Sequence, residues 1–220
     1  MSDRSNHSIE RWLKRSLVTA DPDNGTTPRQ SEKEPEKTDC ELYDESTAPE
    51  ASKELLEDSK KSFGMIPGLH AVMAEAPGLL EAYKTVHELF ASSSFDKDEL
   101  TVVWQTINVE HNCHYCVPAH TAIANSMGVD DAISDALRNE TPLPNARLEA
   151  LRDFTLSVVR GRGNVDDAEV QACLDAGWTK RQMLEVVLGV SQKVMSNYTN
   201  HLANTPVDRP FQKFDWQKAA

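Results

Sequence analysis

The stretch Glu110-His111-Asn112-Cys113-His114-Tyr115-Cys116-Val117-Pro118-Ala119-His120 (residues 110–120) contains two of the four cysteines and three of the seven histidines of the chain. Pro118 has no backbone N–H and is tolerated only in the first turn of a helix, so the spacing predicts a helix that begins near Cys116. His120 follows Cys116 by four residues and therefore lies on the same helical face. The stretch is interpreted as a redox pair with a proton carrier, as a metal site, or as coincidence.

Helical patterns continue on both sides of this stretch. The spacing predicts a helix over Ser52 to Phe63 and another after Pro77. Three later helices begin at capping boxes, in which an Asp or Thr accepts backbone N–H groups and a Glu or Gln reaches back. These pairs are Asp96 with Glu99, Asp166 with Glu169, and Thr179 with Gln182. No alternating run of useful length indicates a strand, so the predicted fold class is all-α.

Composition limits the classes of function. The chain has 220 residues, 39% of them apolar, and a net charge of −12, which suits one sizeable core. No basic stripe indicates nucleic-acid binding, and an acidic surface argues against anionic membranes. No apolar run approaches the roughly 20 residues that span a bilayer, so we expect a soluble, cytoplasmic protein. In that reducing compartment a Cys-x-x-Cys motif is more often catalytic, redox-active or metal-binding than structural.

The chain divides into two parts by composition. Residues 1–38 are rich in charge, proline and glycine over their second half, and we expect a polar, flexible extension there. Ile9, Trp12, Leu13 and Leu17 within it fall at helical spacing and could form a short amphipathic helix. Residues 39–220 carry the helical patterns and are expected to form the folded domain.

Cysteine chemistry assigns roles within the central stretch. A thiol reacts as its thiolate, and the positive end of a helix dipole lowers the pKa of a cysteine such as Cys116. His120, with an ordinary histidine pKa of about 6.5, could exchange a proton with the sulfur or with a substrate oxygen. Cys113 could then resolve an oxidised Cys116 as a disulfide. Glu110 lies at a helix end that disfavours an anion, so it is either a fourth site residue or a solvated surface glutamate.

Three stretches of the sequence resemble those of a known family. The run NVEHNCHYCVPAHTAIA (residues 108–124) resembles the redox branch of the carboxymuconolactone decarboxylase and alkyl hydroperoxidase D-like superfamily, which carries Cys-x-x-Cys-x-x-x-His at the start of a helix. The resemblance includes SKKSFGMIPGLHAVMAEAPGLLEAY (residues 59–83) and KVMSNYTNHLANTPVD (residues 193–208). It covers nearly everything after residue 38.

The resemblance implies an all-helical homo-oligomer, often a trimer or a trimer of dimers (a hexamer), that reduces hydroperoxides. It assigns peroxide attack to Cys116, resolution to Cys113 and proton relay to His120. The cycle needs no cofactor or metal, but it needs a dithiol electron donor such as a thioredoxin, lipoyl or glutathione system. One position departs from the family pattern, because Thr101 stands where the best-understood peroxidases have a glutamate. Glu110 or Glu99 could replace that glutamate.

Other functions remain open from the sequence. The cysteine pair could be a redox sensor, a structural clip, or a zinc site completed by His111, His114 or His120. A carboxymuconolactone decarboxylase-like lyase is a further alternative, although decarboxylase members generally lack the pair. Thiol titration with and without a hydroperoxide separates the peroxidase from these alternatives.

The sequence also suggests roles for residues beyond the two cysteines and His120. His114, Tyr115, Tyr198 and His201 are possible pocket residues, whereas Asn197 and Asn200 are explained by a structural cap near Pro206. His87 alternates with apolar residues and is interpreted as a core histidine. Cys173 is expected in the core, and Cys40 is a bystander. Apolar faces at Trp104 or around Val187 and Val194 predict contact with further copies of the chain.

Overall fold

The computed structural model describes residues 40–218. The extension predicted over residues 1–38, with the short helix expected between Ile9 and Leu17, lies outside these described residues. Residues 40–218 form nine α-helices and one short 3-10 helix, and no β-strand occurs among them. The predicted all-α class is therefore confirmed. No helix within this part of the chain is both long and apolar enough to cross a lipid bilayer.

The helices begin and end largely where the sequence places them. In chain order they are α1 (Glu50–Phe63), α2 (Gly68–Met73), α3 (Pro77–Ala91), α4 (Lys97–Glu110), α5 (Cys116–Met127), α6 (Asp131–Arg138), α7 (Ala146–Arg160), α8 (Asp167–Asp175) and α9 (Lys180–Ala203), followed by the 3-10 helix Gln212–Phe214. All three predicted capping boxes are present, at the starts of α4, α8 and α9. The sequence did not predict α2 or the 3-10 helix. These elements have six and three residues, which is too short for a helical period to be recognised.

Helix α4 lies at the centre of the fold. It packs against α5, α6, α7 and α9, and every residue from Glu99 to Val109 is buried. The sequence predicted a single apolar face, with Trp104 available to a partner, but Trp104 is only 3% exposed. Two of the buried polar residues of α4 form hydrogen bonds inside the fold: Gln105 Nε2 donates to the Val117 carbonyl, and Asn108 Nδ2 donates to Gln105 Oε1. These bonds help to fix α4 against the start of α5.

Helix α9 is the longest, with 24 residues, and it packs closely against α3 and α4. A Cβ atom at Gly189 would lie 2.9 Å from the ring of Phe90, closer than real Cβ atoms approach other atoms. Glycine is therefore required at this crossing. The second half of α9 lies against the start of α5, where Asn200 hydrogen bonds to Cys116. This contact brings together residues that are 84 positions apart in the chain.

Candidate active site

The two cysteines lie side by side at the start of α5, which begins at Cys116 as the position of Pro118 predicts. The loop before the helix carries Cys113, and the backbone N–H of Cys116 donates to Cys113 Sγ at 3.4 Å. Both cysteines are buried and both are free thiols in this structure. Cys116 therefore occupies a helix N-terminus, where the partial positive charge favours a thiolate.

Helix α9 supplies the other wall of the site. Lys193, Asn197 and Asn200 follow one another at spacings of four and three residues, so they share one helical face, and all three are fully buried. Asn200 Nδ2 donates to Cys116 Sγ at 3.2 Å, and Lys193 Nζ lies 2.8 Å from His120 Nε2. Because a buried lysine costs free energy unless it is paired, its position beside a thiolate and an imidazole calls for a functional explanation.

These neighbours shift the pKa values of the two thiols in opposite directions. Burial raises the pKa of Cys116, but the hydrogen bond from Cys113, the positive charge of Lys193 and the amides of Asn197 and Asn200 outweigh it and lower that pKa below its ordinary value. The hydrogen bond to Cys116 and burial both raise the pKa of Cys113. The structure thus gives Cys116 the environment of a thiolate and Cys113 that of a protonated thiol.

A cavity of about 480 Å³ opens beside Cys116. Cys116, His120 and Lys193 line it together with His70, Tyr83 and His87. The charged residues Asp58, Lys84 and Glu88 also line it, and much of the rest is apolar. Cys113 does not line this cavity. The volume falls in the usual range for small-molecule sites. A small molecule that enters the cavity therefore meets the sulfur of Cys116 rather than that of Cys113.

Only one of the two ring nitrogens of His120 has a hydrogen-bond partner among residues 40–218. Its Nε2 faces Lys193, its ring contacts Trp104 at a centroid distance of 5.0 Å, and its buried Nδ1 has no hydrogen-bond partner in the described part of the chain. Burial, with the nearby charge of Lys193, lowers the pKa of His120 well below 6.5. The pKa of His120 therefore departs from the ordinary histidine value expected from the sequence, because the ring is buried and lies beside a cation. A buried ring nitrogen without a partner is available to a ligand in the cavity.

Neither candidate glutamate lines the cavity. Both carboxylate oxygens of Glu110 accept from Arg160 at 2.8 Å, and this pairing lowers the pKa of Glu110 despite partial burial. Glu99 pairs with Arg147 and closes the capping box of α4. Each carboxylate is thus held by an arginine, and neither is placed to stand in for the family glutamate that is absent at Thr101.

Of the other pocket candidates, the structure places only Tyr115 in the cavity of Cys116. The Tyr115 hydroxyl donates to Asp208 at 2.5 Å. His114 and His201 line a separate cavity of about 500 Å³ on the other side of the cysteine loop. Tyr198 is 52% exposed on the surface of α9. The sequence places these residues near the motif but does not show which side of the loop each one faces.

Sequence reasoning missed three important residues and misread two others. Lys193, Tyr83 and the pocket position of His87 were not predicted, and His87 lines the cavity instead of filling the core. Asn197 and Asn200 were explained as a cap, yet Asn200 contacts the Cys116 sulfur. Lys193, Asn197 and Asn200 share one helix face by their spacing, but nothing in their immediate sequence marks that face as buried.

The structure also shows where Cys173 and Cys40 lie and bears on the zinc alternative. Cys173 is buried in the main hydrophobic cluster as predicted, and Cys40 is exposed. Among residues 40–218, no group of three or more His, Cys, Asp or Glu side chains is arranged to hold a metal ion. The zinc alternative for Cys113 and Cys116 therefore has no ligand set in this part of the chain.

Solved structures share the fold of this chain. A protein described as an alkylhydroperoxidase AhpD core, an uncharacterized peroxidase-related protein from Ralstonia eutropha JMP134, aligns with a TM-score of 0.71 and 19% identity over 79% of this chain and 93% of its own. An uncharacterized peroxidase-related protein from Silicibacter sp. TM1040 aligns with a TM-score of 0.66 and 20% identity over 84% of this chain and 97% of its own. Comparison with models of known families and with curated proteins gives no match. The chain therefore has the alkyl hydroperoxidase D-like fold that its motif predicts.

Proposed function

We propose that this protein is a thiol-dependent peroxidase of the alkyl hydroperoxidase D-like superfamily, and that it cycles between a Cys113–Cys116 dithiol and a disulfide. The observation that carries the proposal is the environment of Cys116. Its sulfur lies on the wall of a cavity, accepts a hydrogen bond from Asn200 and is close enough to the buried Lys193 for that charge to lower its pKa. Perturbed thiols in such surroundings are typical of reactive cysteines.

In the first step the Cys116 thiolate attacks the distal oxygen of a hydroperoxide. A sulfur–oxygen bond forms and the peroxide oxygen–oxygen bond breaks, so Cys116 becomes a sulfenic acid and the substrate leaves as an alkoxide. The leaving oxygen takes a proton from the Lys193–His120 pair and departs as an alcohol. His120 Nδ1, which has no hydrogen-bond partner among residues 40–218, is the atom that would face this oxygen.

In the second step Cys113 resolves the sulfenic acid. The two sulfurs form a disulfide and one water molecule leaves. An external dithiol then returns two electrons and two protons, which restores both thiols. A thioredoxin, lipoyl or glutathione system could supply these electrons in a reducing compartment such as the cytoplasm.

Lys193 takes the place of the glutamate that the family pattern would put at Thr101. Its Nζ contacts His120 at 2.8 Å, whereas Glu99 and Glu110 are held by arginines away from the cavity. Burial lowers the pKa of Lys193, and the nearby sulfurs of Cys116 and Cys113 act in the opposite direction. The lysine can therefore both stabilise the thiolate and share its proton with His120.

Thiol titration tests the cycle directly. The wild-type protein, treated with one equivalent of an organic hydroperoxide, should lose two thiols per chain, and a dithiol should restore both. In the Cys113→Ser variant the reaction should stop at the sulfenic acid, which dimedone would trap at Cys116 alone. Unchanged thiol counts in the wild-type protein would exclude the peroxidase and leave a sensor or structural pair.

The order of alkylation tests the assignment of the two sulfurs. We expect limited iodoacetamide at neutral pH to label Cys116 first, because that thiol has the lowered pKa and lines the cavity, whereas Cys113 is protonated and does not. Peptide mapping by mass spectrometry gives the ratio of the two adducts. Preferential labelling of Cys113 would reverse the roles.

A homo-oligomer, trimeric or hexameric, belongs to the same proposal. Leu184, Val187, Tyr198 and Leu202 lie on the outer side of α9 and are 72%, 49%, 52% and 70% exposed. Ser191 and Val194 fall between them, so successive members are three or four residues apart, as in a helix-packing seam. A seam of this length on one helix is more apolar surface than a monomer usually leaves uncovered.

Light scattering tests the assembly. At micromolar concentration the protein should have a mass that is a multiple of 24.5 kDa. The double variant Leu184→Glu with Leu202→Glu should shift this mass toward the monomer, because it would bury charges in the contact. Leu42→Glu, an exposed leucine outside α9, is the matched control and should leave the mass unchanged. A wild-type monomer would contradict the expectation.

A further inference from the structure

Two ring side chains of α3 line the cavity. Tyr83 and His87 are four residues apart on one face of the helix. Their ring centroids are 6.2 Å apart with the ring planes tilted by 29°, and His87 stacks in turn on Trp104 at 5.8 Å. The peroxide chemistry proposed above uses neither of them. Two polar rings that line the cavity without a part in that chemistry suggest a role in binding.

The hydrogen bonds of Gln192 determine which ring nitrogen of His87 carries the proton. This glutamine is fully buried, and its Oε1 accepts from Trp104 Nε1 at 2.6 Å. Since an indole nitrogen can only donate, the oxygen of Gln192 must face Trp104, and its Nε2 must face His87 Nδ1 at 2.9 Å. His87 Nδ1 is thus an acceptor, and the ring carries its proton on Nε2. Burial and the charge of Lys193 lower the pKa of His87 to about 4, so the ring is neutral at neutral pH.

Tyr83 lines the same cavity and supplies the second donor. Burial raises the pKa of Tyr83, so its hydroxyl keeps its proton at neutral pH. A protonated phenol donates one hydrogen bond. Tyr83 and His87 therefore each have one proton to offer to a ligand in the cavity.

We infer that Tyr83 and His87 form a two-donor subsite that binds an oxygen atom of an uncharged organic ligand. The surrounding wall is apolar at Leu69, Ala119 and Ile123, which suits a hydrocarbon body. Two lysines, Lys84 and Lys193, and two carboxylates, Asp58 and Glu88, line the cavity, so its wall has no net charge that would select a cation or an anion. Pairing with Lys84 neutralises Asp58 at the rim. The subsite donates hydrogen bonds and transfers no proton.

This inference rests on the proposed function in one respect, the identity of the oxygen. In a peroxidase cycle it would be the oxygen that leaves as the alcohol, and holding it would orient the oxygen–oxygen bond toward Cys116. The reaction itself is unchanged, because the donors contribute no atoms or electrons. The binding can therefore be tested in protein that cannot turn over.

The test compares two ligands with the same carbon skeleton in the Cys116→Ser protein. These are 2-phenyl-2-propanol, which carries a hydroxyl oxygen, and isopropylbenzene, which lacks it, and ligand-detected NMR reports their affinities. Tyr83→Phe should weaken alcohol binding by roughly threefold to tenfold, the range for one lost hydrogen bond, and leave isopropylbenzene within about twofold. Tyr43→Phe removes a hydroxyl bonded to Glu75 outside the cavity and should change neither affinity. Equal loss for both ligands, or no loss for either, would overturn the inference.

A second measurement needs no substitution at the subsite. The imidazole nitrogens of His87, followed by ¹⁵N NMR in the wild-type protein, should show a proton on Nε2 and no titration between pH 8 and pH 5. A proton on Nδ1, or titration near pH 6.5, would overturn the subsite. Failure of the peroxidase proposal appears instead as wild-type cysteines that do not react with hydroperoxides, so the two outcomes can be told apart.

Discussion

Replacing Lys193 by methionine is expected to slow the reaction of Cys116 with hydroperoxides by roughly 30-fold to 100-fold at pH 7. Without the lysine, one of the effects that offset burial at Cys116 is lost, so the pKa of Cys116 should rise toward the ordinary thiol value of about 8.5, where only a few per cent is thiolate at neutral pH. The rate should recover as the pH is raised. Stopped-flow oxidation of Cys116 across pH 5 to pH 10 measures both effects.

Stability separates this electrostatic role from a packing role. Methionine is apolar and similar in length to lysine, and replacing a buried charge by such a residue is often neutral or stabilising. We therefore expect an unchanged or raised melting temperature together with the slower reaction. Lys213→Met, at an exposed lysine away from the cavity, is the matched control. A folded Lys193→Met protein with the wild-type rate at pH 7 would exclude Lys193 from thiolate stabilisation.

The sequence predicts most of the fold because helix ends are encoded locally. The capping boxes at Asp96, Asp166 and Thr179 each involve residues three positions apart, and Gly128 ends α5 with a φ of 68°. Such signals can be read without knowing what a helix packs against. The burial of α4 on all sides could not be predicted, because its polar residues find partners on other helices. Gln105 donates to residues of α5, and Asn108 accepts from Asn197 on α9.

The candidate site likewise contains residues that the local sequence predicts and residues that only helix packing brings together. Cys113, Cys116 and His120 are close in sequence, and their spacing around Pro118 indicated their arrangement. Lys193 meets His120 across 73 residues, and only the packing of α9 on α5 brings them together. A lysine on a long helix is ordinarily a solvated surface residue, so nothing in its immediate sequence marks it as buried.

The buried state of His120 changes the pH dependence that the sequence suggests. An ordinary histidine would add a limb near pH 6.5 to the rate profile, but burial and Lys193 lower the pKa of His120 well below that value. The ring is therefore neutral throughout the range from pH 6 to pH 8. The rate should instead rise with pH through the lowered pKa of Cys116 and then stay level across neutral pH.

His120→Gln should slow peroxide reduction by about a hundredfold or more, the usual scale for a positioned acid–base group, while the protein remains folded. Glutamine can still hydrogen bond to Lys193, but it cannot pass a proton between Lys193 Nζ and a leaving oxygen as the two nitrogens of an imidazole can. Because the ring does not titrate near pH 6.5, the rate of the variant should depend on pH as the wild-type rate does and be lower at every pH. His201→Gln, at a histidine of the separate cavity, is the control and should keep the wild-type rate. If folded His120→Gln protein reacts at the wild-type rate, Cys113 and Cys116 form a redox pair without a histidine relay, and a sensor or structural disulfide becomes the better account.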